Sequence, residues 1–225
     1  IQVYPSSAPA TLSHARASAF NPGPFLSSAS SPITITYEAD ITLPSTLPAS
    51  GDVIQGVSFC NPSSGTTGME LRYERLSGGA TTQVQLLIRS STSTVSLYTV
   101  FAPTAFTARA AGATMTLKAE VRFSGGGFVV IGYLDGTQLF ISTPSYALLN
   151  STTGNSYGAT SGPMYGGLVA SVAGTATGSG GPQYPGYFDR WRVRDAGSAT
   201  AINAMSQAPT LTTAPTLTPI SVYAE

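Results

Sequence analysis

Eleven consecutive residues that alternate between apolar and polar side chains constrain the fold of this chain more than any other feature. Residues 33–43 read ITITYEADITL, and the apolar members all fall on one face: Ile33, Ile35, Tyr37, Ala39, Ile41 and Leu43. The polar face carries Glu38 and Asp40 among threonines. Because successive side chains of a β-strand point to opposite faces, this period of two predicts a strand with one buried side.

The same alternation recurs along most of the chain, in segments separated by Gly- and Ser-rich turns. We expect further strands at residues 53–59, 69–74, 84–88, 95–99, 115–123, 128–134, 138–142, 168–172 and 187–195. Asp135-Gly136 stands between two of them and is a strong hairpin signal. No stretch predicts a helix. The sequence therefore predicts an all-β jelly-roll β-sandwich of about ten or more antiparallel strands.

The two ends of the chain differ in composition from the middle and predict extended arms. Residues 1–32 are rich in Pro, Ser and Ala, and residues 197–225 are rich in Thr, Pro and Ala. Such segments bury too little apolar area to offset their ordering entropy alone. We therefore expect one sandwich domain, residues 33–196, with arms that lie on it or on neighbouring subunits. A start at Ile1 suggests cleavage upstream or an excised fragment.

Charged residues are scarce, at 9% of 225 residues, against roughly 25% in ordinary soluble domains. Ten basic residues balance ten acidic ones, so the sequence predicts no nucleic-acid partner. No apolar run approaches the roughly 18 residues of a membrane span, so no membrane insertion is predicted either. A net charge near zero favours association, because it removes colloidal repulsion. Cys60, the single cysteine, excludes an internal disulfide and is expected to be a small buried hydrophobe.

Three stretches resemble the concanavalin A-like lectin/glucanase superfamily in its laminin G-like branch. They are the opening strand ITYEADITL at 35–43, the central hairpin LKAEVRF at 117–123 with VVIGYLDGTQL at 129–139, and the closing strand YFDRWRV at 187–193. Their order and spacing frame residues 33–195. The resemblance implies a jelly roll and says little about function, since unrelated activities share one fold.

Glucanases of that superfamily carry a Glu-x-Asp-x-x-Glu-like strand motif, and Glu38 and Asp40 match its beginning. A retaining mechanism needs two carboxyls about 5–5.5 Å apart, and no further acid appears here before Asp52. His14, the only histidine, lies in the arm, where a Ser-His-Asp relay would need it locked against a nucleophile. One His and one Cys make a zinc site implausible. The sequence therefore predicts that the chain is not an enzyme and that Glu38 and Asp40 are solvated.

No cofactor is predicted, and calcium is the alternative, because many relatives in the resembled superfamily bind it. Calcium takes six to eight oxygen ligands, whereas the acids here are scattered, with Asp135 in the hairpin and Asp189 and Asp195 on the last strand. Alternation places Asp189 on the face of Trp191 and Val193, an awkward position for a charge. We expect Asp189 to accept hydrogen bonds from a loop backbone.

Two long loops, residues 146–166 and 173–186, combine tyrosines with amide and hydroxyl side chains. Sugar binding needs an aromatic ring to stack on and polar groups around it. The candidate glycan-binding residues are Tyr146, Asn155, Tyr157, Tyr165 and Tyr184. The alternative is that these tyrosines cover the end of the sandwich. Asn150-Ser151-Thr152 is the one N-glycosylation sequon.

Together these features predict a non-catalytic structural subunit of an extracellular or virion assembly, such as a decoration, head-fibre or tail-associated protein. Its expected partners are copies of itself or other subunits, bound through the terminal arms, with surface glycans as a second class. The expected location is extracellular or the virion surface. The alternative is a secreted lectin-like carbohydrate-binding module.

Overall fold

The computed structural model describes residues 2–3, 13–16, 33–45, 47, 51–61, 67–90, 93–124, 127–154, 165–172 and 186–195. Within these ranges the chain forms one α-helix, a short 3₁₀ turn at Ser77–Gly79 and twelve strands. In chain order the elements are β1 (Gln2–Val3), β2 (Ser13–Arg16), β3 (Ile33–Thr42), β4 (Val53–Asn61), β5 (Gly68–Leu76), β6 (Thr81–Arg89), β7 (Thr94–Phe101), β8 (Thr114–Ser124), β9 (Gly127–Leu134), β10 (Thr137–Ser142), α1 (Tyr146–Thr153), β11 (Tyr165–Val172) and β12 (Gly186–Asp195).

The strands form two six-stranded sheets whose pairings are antiparallel. Sheet A has the order β1-β12-β3-β8-β9-β10, and sheet B has the order β2-β11-β4-β5-β6-β7. Neighbours such as β12 and β3, or β11 and β4, are far apart in sequence, which is the crossing connectivity of a jelly roll. The predicted fold class, a concanavalin-like jelly-roll β-sandwich, is confirmed. All ten strands expected from the alternation are present.

The core lies between the two sheets and consists of the apolar half of each alternating strand. The buried apolar residues of β3, Ile35, Tyr37, Ala39 and Ile41, lie on the face that the period of two assigned to the interior, and β8 contributes its own inner row. From sheet B the largest fully buried side chains include Phe59, Leu71 and Tyr73. Cys60 belongs to this core, as predicted, and burial raises the pKa of its thiol.

Two short segments of the predicted N-terminal arm pair with the sandwich of the same chain. Gln2 lies opposite Tyr187 at one edge of sheet A, and His14 lies opposite Val169 at one edge of sheet B. Added strands at sheet edges satisfy backbone groups that would otherwise be open to pairing with another chain. The other residues of 1–32, and residues 196–225, lie outside the described residues, so the domain boundaries stay a prediction.

The prediction that the chain contains no helix is wrong at α1, which occupies the start of the expected loop 146–166. Ser145 caps its N-terminus, with its hydroxyl accepting a hydrogen bond from the backbone N of Leu148 at 3.1 Å. Gly154 ends the helix with φ 72°, a left-handed conformation that glycine adopts without strain. In the described part of the chain, no helix has the length and apolarity to cross a membrane.

Two core tyrosines differ in what their hydroxyls contact. Tyr37 stacks on Phe59 with ring centroids 5.3 Å apart, and its hydroxyl has no hydrogen-bond partner among the described residues. The hydroxyl of Tyr73 accepts a hydrogen bond from the backbone N of Arg109 at 2.9 Å. Burial raises the pKa of both phenols, and for Tyr37 the nearby Cys60 adds to the effect.

We expect Tyr37→Phe to leave the free energy of unfolding unchanged or raise it by up to about 1 kcal/mol, since it removes an unsatisfied buried hydroxyl. Tyr73→Phe, the matched control, should lose roughly 0.5–1.5 kcal/mol. Because a raised folded-state pKa keeps the phenol protonated after the unfolded chain has ionised, stability falls as the pH rises above about 10. Tyr37→Phe should flatten that fall. Urea unfolding at neutral and alkaline pH measures both effects, and a neutral-pH loss above about 1 kcal/mol for Tyr37→Phe would contradict the argument.

Candidate functional site

A cleft of about 340 Å³ opens on the outer face of sheet A. The described residues that line it are Glu38, Asp40, Thr116, Lys118, Asp135, Gly136, Arg190 and Arg192. Strand register brings most of them together, since β3 and β8 pair with Glu38 opposite Lys118 and Asp40 opposite Thr116. The outward-facing polar side chains of β3 and β8 therefore form the floor of the cleft.

A β-bulge in β12 shapes one wall of the cleft. Asp189 pairs with Asp40 and Arg192 with Glu38, so two residues of β12 oppose one residue of β3. Arg190 sits in the bulge with φ 45°. The bulge also reverses the alternation along β12, and it leaves Asp189 exposed while Val193 is buried. The prediction that Asp189 shares a face with Val193 is wrong for this reason.

Each acid of the cleft has a basic partner. The carboxylate of Asp40 accepts a hydrogen bond from the Thr116 hydroxyl at 2.8 Å and forms an ion pair with Arg190. Glu38 forms an ion pair with Arg192. The exposed fraction of the Asp40 side chain is 3%, whereas that of Arg190 is 67%. The prediction that Glu38 and Asp40 are solvated is therefore wrong for Asp40, because β12 brings a guanidinium over it.

The β9–β10 turn closes the end of the cleft. Asp135 and Gly136 both have positive φ, 49° and 79°, as in the two-residue turn that Asp-Gly predicts. The Asp135 carboxylate accepts a hydrogen bond from the Thr116 backbone N at 2.7 Å, and the Asp135 backbone N donates to the Thr116 carbonyl at 2.8 Å. Arg109 forms an ion pair with the same carboxylate. The turn is thus fixed to β8 by both its backbone and its side chain.

Lys118, the only lysine of the chain, lines the cleft from β8, opposite Glu38 of β3. Its Nζ is 3.8 Å from the centre of the Tyr133 ring, in a cation–π contact. The Tyr133 hydroxyl donates a hydrogen bond to Glu120 at 3.4 Å, and burial and then Glu120 raise the pKa of that phenol. The hydrogen bond to Glu120 therefore positions the Tyr133 ring, and the ring positions the Lys118 ammonium.

A second charged cluster lies on the outer face of sheet B. Arg72 donates from Nε to Glu70 and from Nη1 to Glu74 at 3.4 Å, and Gln83 donates to the other oxygen of Glu74 at 2.6 Å. The exposed fractions of the Glu70, Arg72 and Glu74 side chains are 3%, 7% and 5%. A dissolved ligand reaches these groups poorly. We therefore take the cleft of sheet A as the candidate functional site.

The predicted glycan-binding residues do not coincide with the described lining of this cleft. Tyr146 is the first residue of α1, where it is half-buried against the core, and burial, with a smaller contribution from Cys60, raises its pKa to about 12. Tyr165 begins β11, opposite Asn61, and nothing further is described of its side chain. Asn155, Tyr157 and Tyr184 lie outside the described residues. The loop site stays a prediction.

The expectation that the chain has no cofactor, with calcium as the alternative, also stays a prediction. Within the described ranges, no three His, Cys, Asp or Glu side chains are grouped closely enough to hold a metal ion. Asp189, the acid that the sequence singled out, accepts a hydrogen bond from the backbone N of Arg190 at 2.8 Å, inside the bulge.

Comparisons with known proteins find similarity of fold. No protein-family profile and no curated protein matches the chain. The carbohydrate-binding module CBM66 from Bacillus subtilis is 14% identical over 73% of this chain and 77% of that chain, with a TM-score of 0.44. An endo-1,3-beta-glucanase from Streptomyces sioyaensis is 15% identical over 76% of this chain and 66% of that chain, with a TM-score of 0.49. The CBM2 module of the evolved Dit of Lactobacillus casei BL23 phage J-1 is 10% identical over 84% of this chain and 78% of that chain, with a TM-score of 0.41.

These likenesses concern the fold alone, which is the jelly-roll β-sandwich that the two sheets form. They also correct one prediction. The prediction that the chain is not an enzyme is wrong, because a sequence with this fold does not exclude an enzyme. A glucanase is among the solved structures that are similar in fold. The lack of a few known catalytic residue sets leaves other mechanisms open, because function on a shared fold depends on the individual site.

Proposed function

We propose that the chain binds carbohydrate through the cleft on the outer face of sheet A. One observation carries the proposal: the described lining consists of polar side chains, with Gly136 the exception, and ion pairs hold its acids and arginines in place. A sugar presents many hydroxyls, each able to donate and accept, and a row of fixed carboxylates and guanidiniums offers both functions without a large ordering cost. The cleft volume lies at the lower end of the range for small-ligand sites.

Charge-matched variants test the location of binding. We expect Arg190→Asn to weaken glycan binding by about tenfold, because it removes an exposed donor of the cleft and frees the Asp40 carboxylate. Asparagine tolerates the positive φ of position 190. Arg122→Asn is the control, since it also removes one positive charge, from a side chain of β8 that pairs with Glu120 and is absent from the described lining.

The measurement is a glycan array followed by calorimetry on the parent and both variants, with unfolding curves to check that each is folded. The same samples are monitored for shortened glycan products. A parent that binds no glycan contradicts the proposal. If Arg190→Asn binds as tightly as the parent, the glycan does not bind in this cleft. Loss of binding in Tyr157→Ala or Tyr165→Ala would then place the binding site at the predicted loops.

A carbohydrate-binding role favours an extracellular or surface location, which agrees with the location expected from the sequence. The role as a subunit of an assembly is a separate proposal, because it depends on residues 1–32 and 197–225. The described segments of the first arm, Gln2–Val3 and Ser13–Arg16, pair with strands of the same chain. Those backbone contacts offer no support for binding to a second copy. Light scattering of the purified chain measures its oligomeric state.

A further inference from the structure

The charges of the cleft do not balance, and the imbalance concerns one side chain. Three acids line the cleft, Glu38, Asp40 and Asp135, and each has its own arginine: Arg192, Arg190 and Arg109 respectively. Lys118 is the fourth cation, so four positive charges face three negative charges. Among the described residues, no carboxylate lies within ion-pair distance of the Lys118 ammonium. The site therefore carries one positive charge in excess.

We propose that the cleft binds a saccharide that carries an anionic substituent, a carboxylate or a sulfate, and that Lys118 contacts this group. The inference rests on the proposed function and narrows its ligand class. Glu38 lies directly opposite Lys118 on β3, yet it pairs with Arg192 from the other neighbouring strand. Lys118 therefore keeps its charge available to a ligand. The carboxylates of the cleft do not oppose an anion, because each is neutralised by an arginine.

The contact with Tyr133 prepares Lys118 for this role. An ammonium has three donors and no acceptor, and a lysine side chain in water samples many rotamers. The face of the Tyr133 ring attracts the ammonium, with Nζ 3.8 Å from the ring centre, and so restricts the lysine side chain. The ring gives none of the three N–H groups an oxygen acceptor. A fixed cation with free donors favours an anionic oxygen, since a hydrogen bond between charged partners is about twice as strong as one between neutral partners.

The ligand series isolates the charge of the polymer. Binding of polygalacturonate is compared with binding of its fully methyl-esterified form, which keeps the sugar and the linkage but has no carboxylate. Dextran sulfate and dextran form a second pair that distinguishes sulfate from carboxylate. Each polymer is titrated into the parent, Lys118→Gln, Lys118→Arg and Arg122→Gln at low and at high salt.

We expect the parent to prefer at least one anionic polymer over its neutral form, and that preference should shrink with salt, which screens exposed charges. Lys118→Gln should weaken anionic binding by roughly tenfold and weaken neutral binding much less, Lys118→Arg should retain most of the parent's affinity for the anionic polymers, and Arg122→Gln should match the parent. The inference fails if Lys118→Gln binds the anionic polymers like the parent. It also fails, while the proposed function stands, if the parent binds neutral glycans equally well through the Arg190 site. A parent that binds no polymer and no glycan on the array overturns both.

Discussion

Arg72→Met is expected to lower the free energy of unfolding by about 3–5 kcal/mol. Arg72 lies between Glu70 and Glu74 on one face of β5, and the exposed fraction of each of these three side chains is 7% or less. Removing the guanidinium leaves two buried carboxylates on one strand face without the cation between them, and losing a buried partner costs far more than losing a partner at the surface. Guanidinium chloride unfolding followed by Trp191 fluorescence measures the loss.

Two further variants separate this explanation from a general effect of losing an arginine. Arg122→Met removes an arginine whose side chain is 54% exposed in its pair with Glu120, and it should change stability by less than about 1 kcal/mol. The triple variant Glu70→Gln/Arg72→Met/Glu74→Gln removes all three charges and keeps an acceptor for Gln83, so it should recover much of the loss. A triple variant less stable than Arg72→Met would show that charge is not the cause.

The sequence predicted the strands well because a period of two is a local property. In β3 and β8 the alternation is unbroken over the whole strand, and the inner-row residues whose burial the structure describes are buried as expected. The period of two was less informative in β12, where alternation in the sequence assigns aromatic residues to both faces, so that no pattern in YFDRWRV reveals the bulge at Arg190. The helix α1 could have been found from its ends, since Ser145 and Gly154 are a typical N-cap and a typical C-terminal glycine.

Only part of the candidate site could be predicted from the sequence, because its residues come from strands that are far apart along the chain. Alternation placed Glu38 and Asp40 together on the outer face of β3. Their partners Arg190 and Arg192 are about 150 residues away and reach them only because β12 pairs with β3, a strand order that the sequence does not reveal. The burial of Asp40 and the spare charge of Lys118 depend on that pairing. Local patterns therefore gave the floor of the cleft, while tertiary structure decides its charge.

Phe140→Ala is expected to cost about 3–5 kcal/mol, because Phe140 closes one edge of the sandwich. Its ring stacks on Tyr98 of the opposite sheet, with centroids 4.8 Å apart, so the edge strands β10 and β7 are joined there. The ring also covers Gly132 so closely that a Cβ at position 132 would lie 2.4 Å from it. The aromatic ring thus fills the space above the strand glycine, where a side chain at position 132 would not fit.

The glycine provides the decisive control for that prediction. Gly132→Ala should cost roughly 1–3 kcal/mol in the parent, where the new methyl group forces the Phe140 ring aside, and little or nothing in the Phe140→Ala background. Ile141→Ala, on the exposed face of the same strand at 52% exposure, should stay within about 0.5 kcal/mol of the parent. Unfolding curves for the four proteins of the cycle give the coupling energy. If the losses at positions 132 and 140 simply add, the ring does not pack on the glycine, and the edge is held by other contacts.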